Sequence, residues 1–171
     1  MSLKVEWPEE KARNETMSKD AKYEFKVHES ATQRLCSATA LVKLLLLEEP
    51  TILLEHRKEF RKLALWKITE AESVAKDRTR YCSATAYKSP ESKLTHDHVF
   101  QRAKMAEELL AGGAQNAERI LKKAKGCTIT KEEHKLLEEH KDSYGWQRYR
   151  RAGITVVDAK NGKILDLAGF S

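Results

Sequence analysis

Apolar residues recur at three-and-four spacing along two stretches in the first half of the chain, a pattern that predicts a pair of helices. From Ser30 to Glu49 the positions Leu35, Ala38, Leu41, Val42, Leu45 and Leu46 share one helical face. Pro50 ends that helix, because the residue before a proline is pushed out of helical backbone. A longer stripe (Ile52, Leu53, Phe60, Leu63, Ala64, Trp66, Ile68, Ala71 and Val74) predicts a second helix from about Thr51 to Arg78, charged on its other face. Two such helices joined at Pro50 form an antiparallel hairpin that must pack its apolar faces on something.

Before this hairpin, residues 1–28 carry many charges and few apolar anchors. They read as an arm or edge segment in which YEFKV, 23–27, alternates like a short strand. After Arg78 the pattern changes. YCSATAY is strand-like, KSPES makes a turn, and KLTHDHV is a second short strand. Phe100 to Ala111 is an amphipathic helix stopped by Gly112–Gly113, and another covers about Ala114–Lys125 and ends at Gly126. CTIT, 127–130, is a β-branched strand. Thr130 and Glu133 then form a capping box that opens the helix KEEHKLLEEH. ITVVDAKNGKILDL predicts a hairpin with Asn161–Gly162 as a type I′ turn. The pentapeptide CSATA occurs at 36–40 and again at 82–86, but the flanks differ, so it reads as coincidence rather than repeat. The expected fold is α+β: an arm over 1–28, a helical hairpin over 29–80, and a strand-and-helix unit over 81–171.

Composition narrows the class. A chain of 171 residues with 40% hydrophobic and 34% charged residues has room for one domain with a real core. No apolar run approaches the ~20 residues that span a bilayer, and MSLKVEWPEEKARNE lacks the apolar segment of a secretory signal. A cytoplasmic protein without membrane contact is the expectation. Cys36, Cys82 and Cys127 lie far apart, which points to buried reduced thiols rather than a disulfide framework or a paired-cysteine zinc site. The net charge of +6 admits a polyanionic partner such as DNA or RNA.

The candidate chemistry centres on His96, Asp97 and His98. On an extended segment His96 and His98 face the same way and Asp97 faces opposite, unless the strand ends there. His134 sits in the first turn after Thr130, so pairing of CTIT with KLTHDHV would bring it beside the cluster. The competing reading is a polar, hydrogen-bonded turn with His134 merely on the surface. YGWQRYRR, 144–151, interleaves aromatics with arginines. It fits either a nucleic-acid contact or a helix that buries Trp146 and Tyr149 and solvates its arginines. Glu132 and Glu133 read as first-turn and capping residues, and Lys122, Lys123 and Lys125 as a solvated face.

LTHDHVFQR at 94–102 and CTITKEEHKLL at 127–137 place a His at the end of one strand and another in a helix that follows a second strand. This arrangement resembles the HNH family of ββα-metal nucleases, and YGWQRYRRAGITVVD, 144–158, looks like a segment of some bacterial and phage HNH-like proteins. The resemblance covers about residues 81–160. It implies an endonuclease that hydrolyses DNA phosphodiesters, with His98 as general base and one divalent metal on Asp97 and His134. His96 would be a further ligand or an orienting group. Mg²⁺ or Mn²⁺ would suit such a site, and Zn²⁺ or Ni²⁺ could also sit there. Arg102, Arg148, Arg150 and Arg151 would contact nucleic acid, with DNA as the expected partner and RNA left open. The hairpin would position substrate or form a homodimer through its Leu-rich 41–47 face. The chain departs from the family where a middle Asn is expected, since Asn116 lies inside a predicted helix. A catalytically inactive HNH-like nucleic-acid-binding or regulatory protein and a helical interaction protein are therefore the rival readings. The enzyme reading requires His98 and His134 to converge within roughly 8 Å, given metal–ligand bonds near 2 Å.

Overall fold

The computed structural model describes residues 23–47, 52–89 and 93–169. The predicted helices form as α1, Ala31–Leu46, and α2, Leu54–Glu70, but the second ends well short of the expected Arg78, because Ser73 pairs with Val27 in an antiparallel bridge and so leaves the helical ladder. Pro50 and the ends predicted around it, like the arm up to residue 22, lie outside the described residues. Strand β1, Tyr81–Ser83, runs straight into the short helix α3, Ala84–Lys88, whose first turn is capped by Ser83 Oγ accepting from the Ala86 amide. CSATA is thus wholly helical in its first copy and a strand-to-helix corner in its second, so tertiary context decides its conformation.

The second half follows the predicted pattern closely. β2, Leu94–His98, leads to α4, Arg102–Leu121, which is broken at Gly113, where φ is +64°. Such a backbone is open to glycine and strained for other residues. β3, Gly126–Thr130, feeds α5, Lys131–Glu139, through a complete capping box: Thr130 Oγ1 accepts from the Glu133 amide and the Glu133 carboxylate accepts from the Thr130 amide. Helix α6 is Trp146–Arg151, β4 is Val156–Asp158 and β5 is Lys163–Ile164, with a 3-10 turn at Leu167–Gly169.

The strands make one sheet in the order β2-β3-β1-β4-β5. β1 is parallel to β3, and the remaining pairs are antiparallel. The protein is therefore α+β, with a mixed sheet. The expected pairing of KLTHDHV with CTIT is present, from Leu94 opposite Thr130 to His98 opposite Gly126.

Core packing joins the halves. Ala38 and Val42 of α1, Ala64, Leu65 and Ile68 of α2, and Met105, Ala106 and Leu109 of α4 belong to one buried cluster. A second cluster under α5 and α6 holds Val99, Cys127, Ile129, Leu137, Trp146 and Tyr149. Phe100 packs against both.

Four further expectations need correction. YEFKV contributes only a bridge from Val27 to Ser73, not a strand; Tyr23 is instead buried, with its hydroxyl donating to the Thr79 carbonyl. The buried faces of the first two helices are narrower than their apolar stripes. Leu35, Leu41, Phe60 and Leu63 are exposed, whereas Leu65 and even Arg61 are buried, because α4 packs on the face of α2 that carries Ala64, Leu65 and Ile68. The C-terminal hairpin closes through four residues, since Asp158 pairs with Lys163. Only Gly162 there has positive φ, so a type I′ turn at Asn161–Gly162, which needs two such residues, is not formed. Finally, Cys82 and Cys127 are buried thiols as expected, but Cys36 is exposed.

Candidate functional site

Strand β2 keeps its alternation through His98, so the HDH triplet divides between the two faces of the sheet. His96 and His98 turn toward α2. Their rings lie 4.9 Å apart, and His98 meets the Trp66 indole edge-on at 5.7 Å. His96 Nδ1 is 3.1 Å from the Lys76 carbonyl, which can only accept, so that nitrogen carries a proton. In the neutral ring Nε2 is then an acceptor, and Thr69 Oγ1 stands 3.1 Å from it and 3.3 Å from His98 Nδ1. The single Thr69 hydroxyl proton goes to the Trp66 carbonyl, 2.8 Å away, so Oγ1 is left as an acceptor toward the two rings, one that His98 Nδ1 can fill, while His96 donates to Lys76. Burial, with His96 and Arg102 close by, pushes the His98 pKa down to about 3, and burial lowers that of His96 as well. Gly126 is needed opposite, because a Cβ there would come within 2.6 Å of the His96 ring and 3.1 Å of the Thr69 carbonyl.

Asp97 turns the other way, to the face shared with Val99, and is only 6% exposed. Its Oδ2 accepts from Arg148 Nη2 and, at 2.6 Å, from the Tyr149 hydroxyl. Burial is the main reason that the Tyr149 pKa rises well above its ordinary value, so the phenol stays a donor. His134, in the first turn of α5, brings Nε2 to 3.8 Å from Asp97 Oδ1 and leaves its side chain 40% exposed.

The sequence-predicted residues therefore form two groups. Asp97, His134 and Arg148 come together on one face; His96, His98 and, through Trp66, Arg102 come together on the other. The guanidinium of Arg102 stacks 4.8 Å over the Trp66 indole. His98 and His134 do not share a face, because the β2–β3 ladder keeps the strand's alternation through His98 and turns that ring toward α2, while Asp97 turns toward His134 of α5. Arg148, expected as a nucleic-acid contact, is buried and bound to Asp97, while Arg150 and Arg151 are exposed as expected. Trp146 and Tyr149 face the core.

For the divalent ion implied by the resemblance, Asp97 and His134 offer two ligand atoms on one face; Asp97 Oδ2 is already committed to Arg148 and Tyr149, and Oδ1 is the oxygen that faces His134. Among the described residues, no three His, Cys, Asp or Glu side chains gather as a ligand set. Residues that the sequence pattern does not single out are Thr69 and Trp66, which organise the two histidines, and Tyr149 in its role as an Asp97 partner. One signal for the last was present: Asp97 alternates onto the face of Val99, and an acid there demands a buried cation or hydroxyl. Nothing local marks Thr69. No described helix is long and apolar enough to cross a membrane. Compared with known proteins, the chain matches no family model, no curated protein and no solved structure.

Proposed function

We propose that the protein binds nucleic acid through the basic and aromatic surface around Trp66, and that the HDH strand braces that surface instead of supplying a hydrolytic centre. The observation that carries this reading is the Arg102–Trp66 stack: an indole 38% exposed, capped by a guanidinium and backed by His98. Exposed Lys62 lies one turn earlier on α2, and exposed Lys104 near the start of α4. An indole beside cations suits an unpaired base, which stacks, together with its phosphate, which pairs. The net charge of +6 favours the same partner.

The runner-up is metal-dependent DNA hydrolysis, as the resemblance implies. It is favoured by the approach of His134 to Asp97 Oδ1, the carboxylate oxygen that Arg148 and Tyr149 do not use. Fluorescence anisotropy with labelled single-stranded DNA or RNA separates the two. Binding should weaken as salt rises, and Trp66→Ala should reduce affinity about 5- to 150-fold, the range of one lost base stack. Salt-independent or absent binding overturns the proposal. Cleavage in Mg²⁺ or Mn²⁺ that disappears in His134→Ala establishes the runner-up instead.

A further inference from the structure

A cleft opens where the start of α1, the last turn of α2 and the end of α4 stand over the leading ends of β1 and β3. Its volume is about 530 Å³, which is the size of a small-molecule site. Ile68, Ala71, Leu121 and Ala124 line it from buried positions. Val27 and Leu35 line it too, although they are 54% and 45% exposed. An apolar body lying in the cleft would take such side chains out of water, and that is favourable in proportion to the area covered.

The charged part of the lining has a sign. Arg80, Lys122 and Lys125 stand against Glu72 and Glu118, and both acids already meet a base: Glu72 lies 3.9 Å from Arg80, and Glu118 pairs with Lys43. Lys122 and Lys125, just beyond α4, are exposed and open to a ligand. The first turn of α1, with Ala31 and Thr32 in the lining, holds no acid and no side-chain cap, and so adds positive potential. Phosphate is not the preferred anion, because the Arg80 fork is occupied: its Nε and Nη2 both donate to Asp158. What remains is a pair of ammonium groups, point charges that suit a single carboxylate. We infer that this cleft binds a small amphiphilic anion, a carboxylate on an aliphatic or single-ring body, with the body against Leu35, Ile68 and Leu121 and the charge at Lys122 and Lys125. Trp66 and Arg102 do not line the cleft, so this site and the nucleic-acid surface stand or fail separately.

Isothermal titration of the full chain with sodium octanoate, octan-1-ol and sodium acetate tests the inference. Octanoate should bind one to one. Octanol keeps the apolar body without the charge and should bind about 2- to 30-fold more weakly, the range of two exposed ion pairs. Acetate, a charge without a body, should give no measurable binding. Lys122→Gln/Lys125→Gln should bring octanoate down to the octanol affinity and leave octanol unchanged. Leu35→Glu, which sets a carboxylate on the apolar wall, should weaken both. All three positions are exposed, so the variants should keep the wild-type melting temperature; should Leu35→Glu not fold, the lysine pair alone decides. No one-to-one binding of octanoate, equal affinities for octanoate and octanol, or undiminished octanoate binding in either folded variant overturns the inference.

Discussion

At the scale of single residues, the fate of Asp97 depends on what its burial demands. A carboxylate 6% exposed is tolerable because Arg148 and Tyr149 meet it, and the same arrangement makes removal of one partner expensive. Asp97→Asn leaves Arg148 as a buried charge without its counter-ion, a change that costs about 3–5 kcal/mol. Urea unfolding should register that loss, and Asp97→Asn combined with Arg148→Met should recover much of it. Recovery distinguishes a structural ion pair from a ligand set, whose second substitution would add no stability. His98 supplies a prediction of different kind. Its folded pKa of about 3 lies below the 6.5 of an exposed imidazole, so the unfolded chain binds more protons between those values. Stability from this group is complete above about pH 6.5 and drains away as the pH falls toward 3. A tenfold difference in proton affinity between the folded and unfolded chain is worth about 1.4 kcal/mol, so the full loss is on the order of a few kcal/mol. His98→Asn should flatten the slope of unfolding free energy across that window, and a slope equal to the wild type's would count against the buried, neutral imidazole. The alternation of His96, Asp97 and His98 was readable in the sequence; their partners were not, because Thr69 and Arg148 are brought in by elements 27 and 51 residues away.

At the scale of elements, local rules predicted best where the chain carries its own chemistry. The box at Thr130 and Glu133, the stop at Gly112–Gly113 and the pairing of β2 with β3 are all where the residues place them. The box also reaches outward, since Glu133 accepts a 2.6 Å hydrogen bond from Ser83, the cap of α3. Thr130→Ala should therefore cost about 1 kcal/mol for the lost cap, whereas Glu133→Ala should cost more, because both the Thr130 amide and the Ser83 hydroxyl lose their acceptor. Chemical denaturation of the two variants compares them directly, and equal losses would mean that the Ser83 link contributes nothing. Periodicity failed on α2 for a physical reason. That helix carries apolar residues on two faces, and only the arrival of α4 decides that Ala64, Leu65 and Ile68 are covered while Phe60 and Leu63 are left in water. A sequence pattern reports amphipathic character; it does not report which of two apolar faces a distant helix will choose.

At the scale of the whole molecule, the question is whether the helical layer and the sheet unfold together. The two largest clusters meet at Phe100, which follows β2, precedes α4 and packs against both. Its ring occupies the space where a side chain at residue 145 would begin: a Cβ on Gly145 would lie 2.4 Å from the Phe100 ring, and φ there is +62°. Tyr144 closes the contact edge-on at 5.1 Å. The linkage ties together the predicted hairpin and the strand-and-helix unit, which the sequence pattern presents as separate segments; a residue joining two cores has no periodic signature of its own. Phe100→Ala should destabilise the protein by about 3–5 kcal/mol and, by opening the contact between clusters, should separate unfolding followed by helical circular dichroism from unfolding followed by the fluorescence of Trp146, read in a Trp7→Phe/Trp66→Phe background. Leu65→Ala, which damages the helical cluster alone, should lower both transitions together as long as Phe100 couples them. Coincident transitions in Phe100→Ala would mean that the sheet and helices are joined by the remaining contacts of α4, and that Phe100 is one packing residue among many.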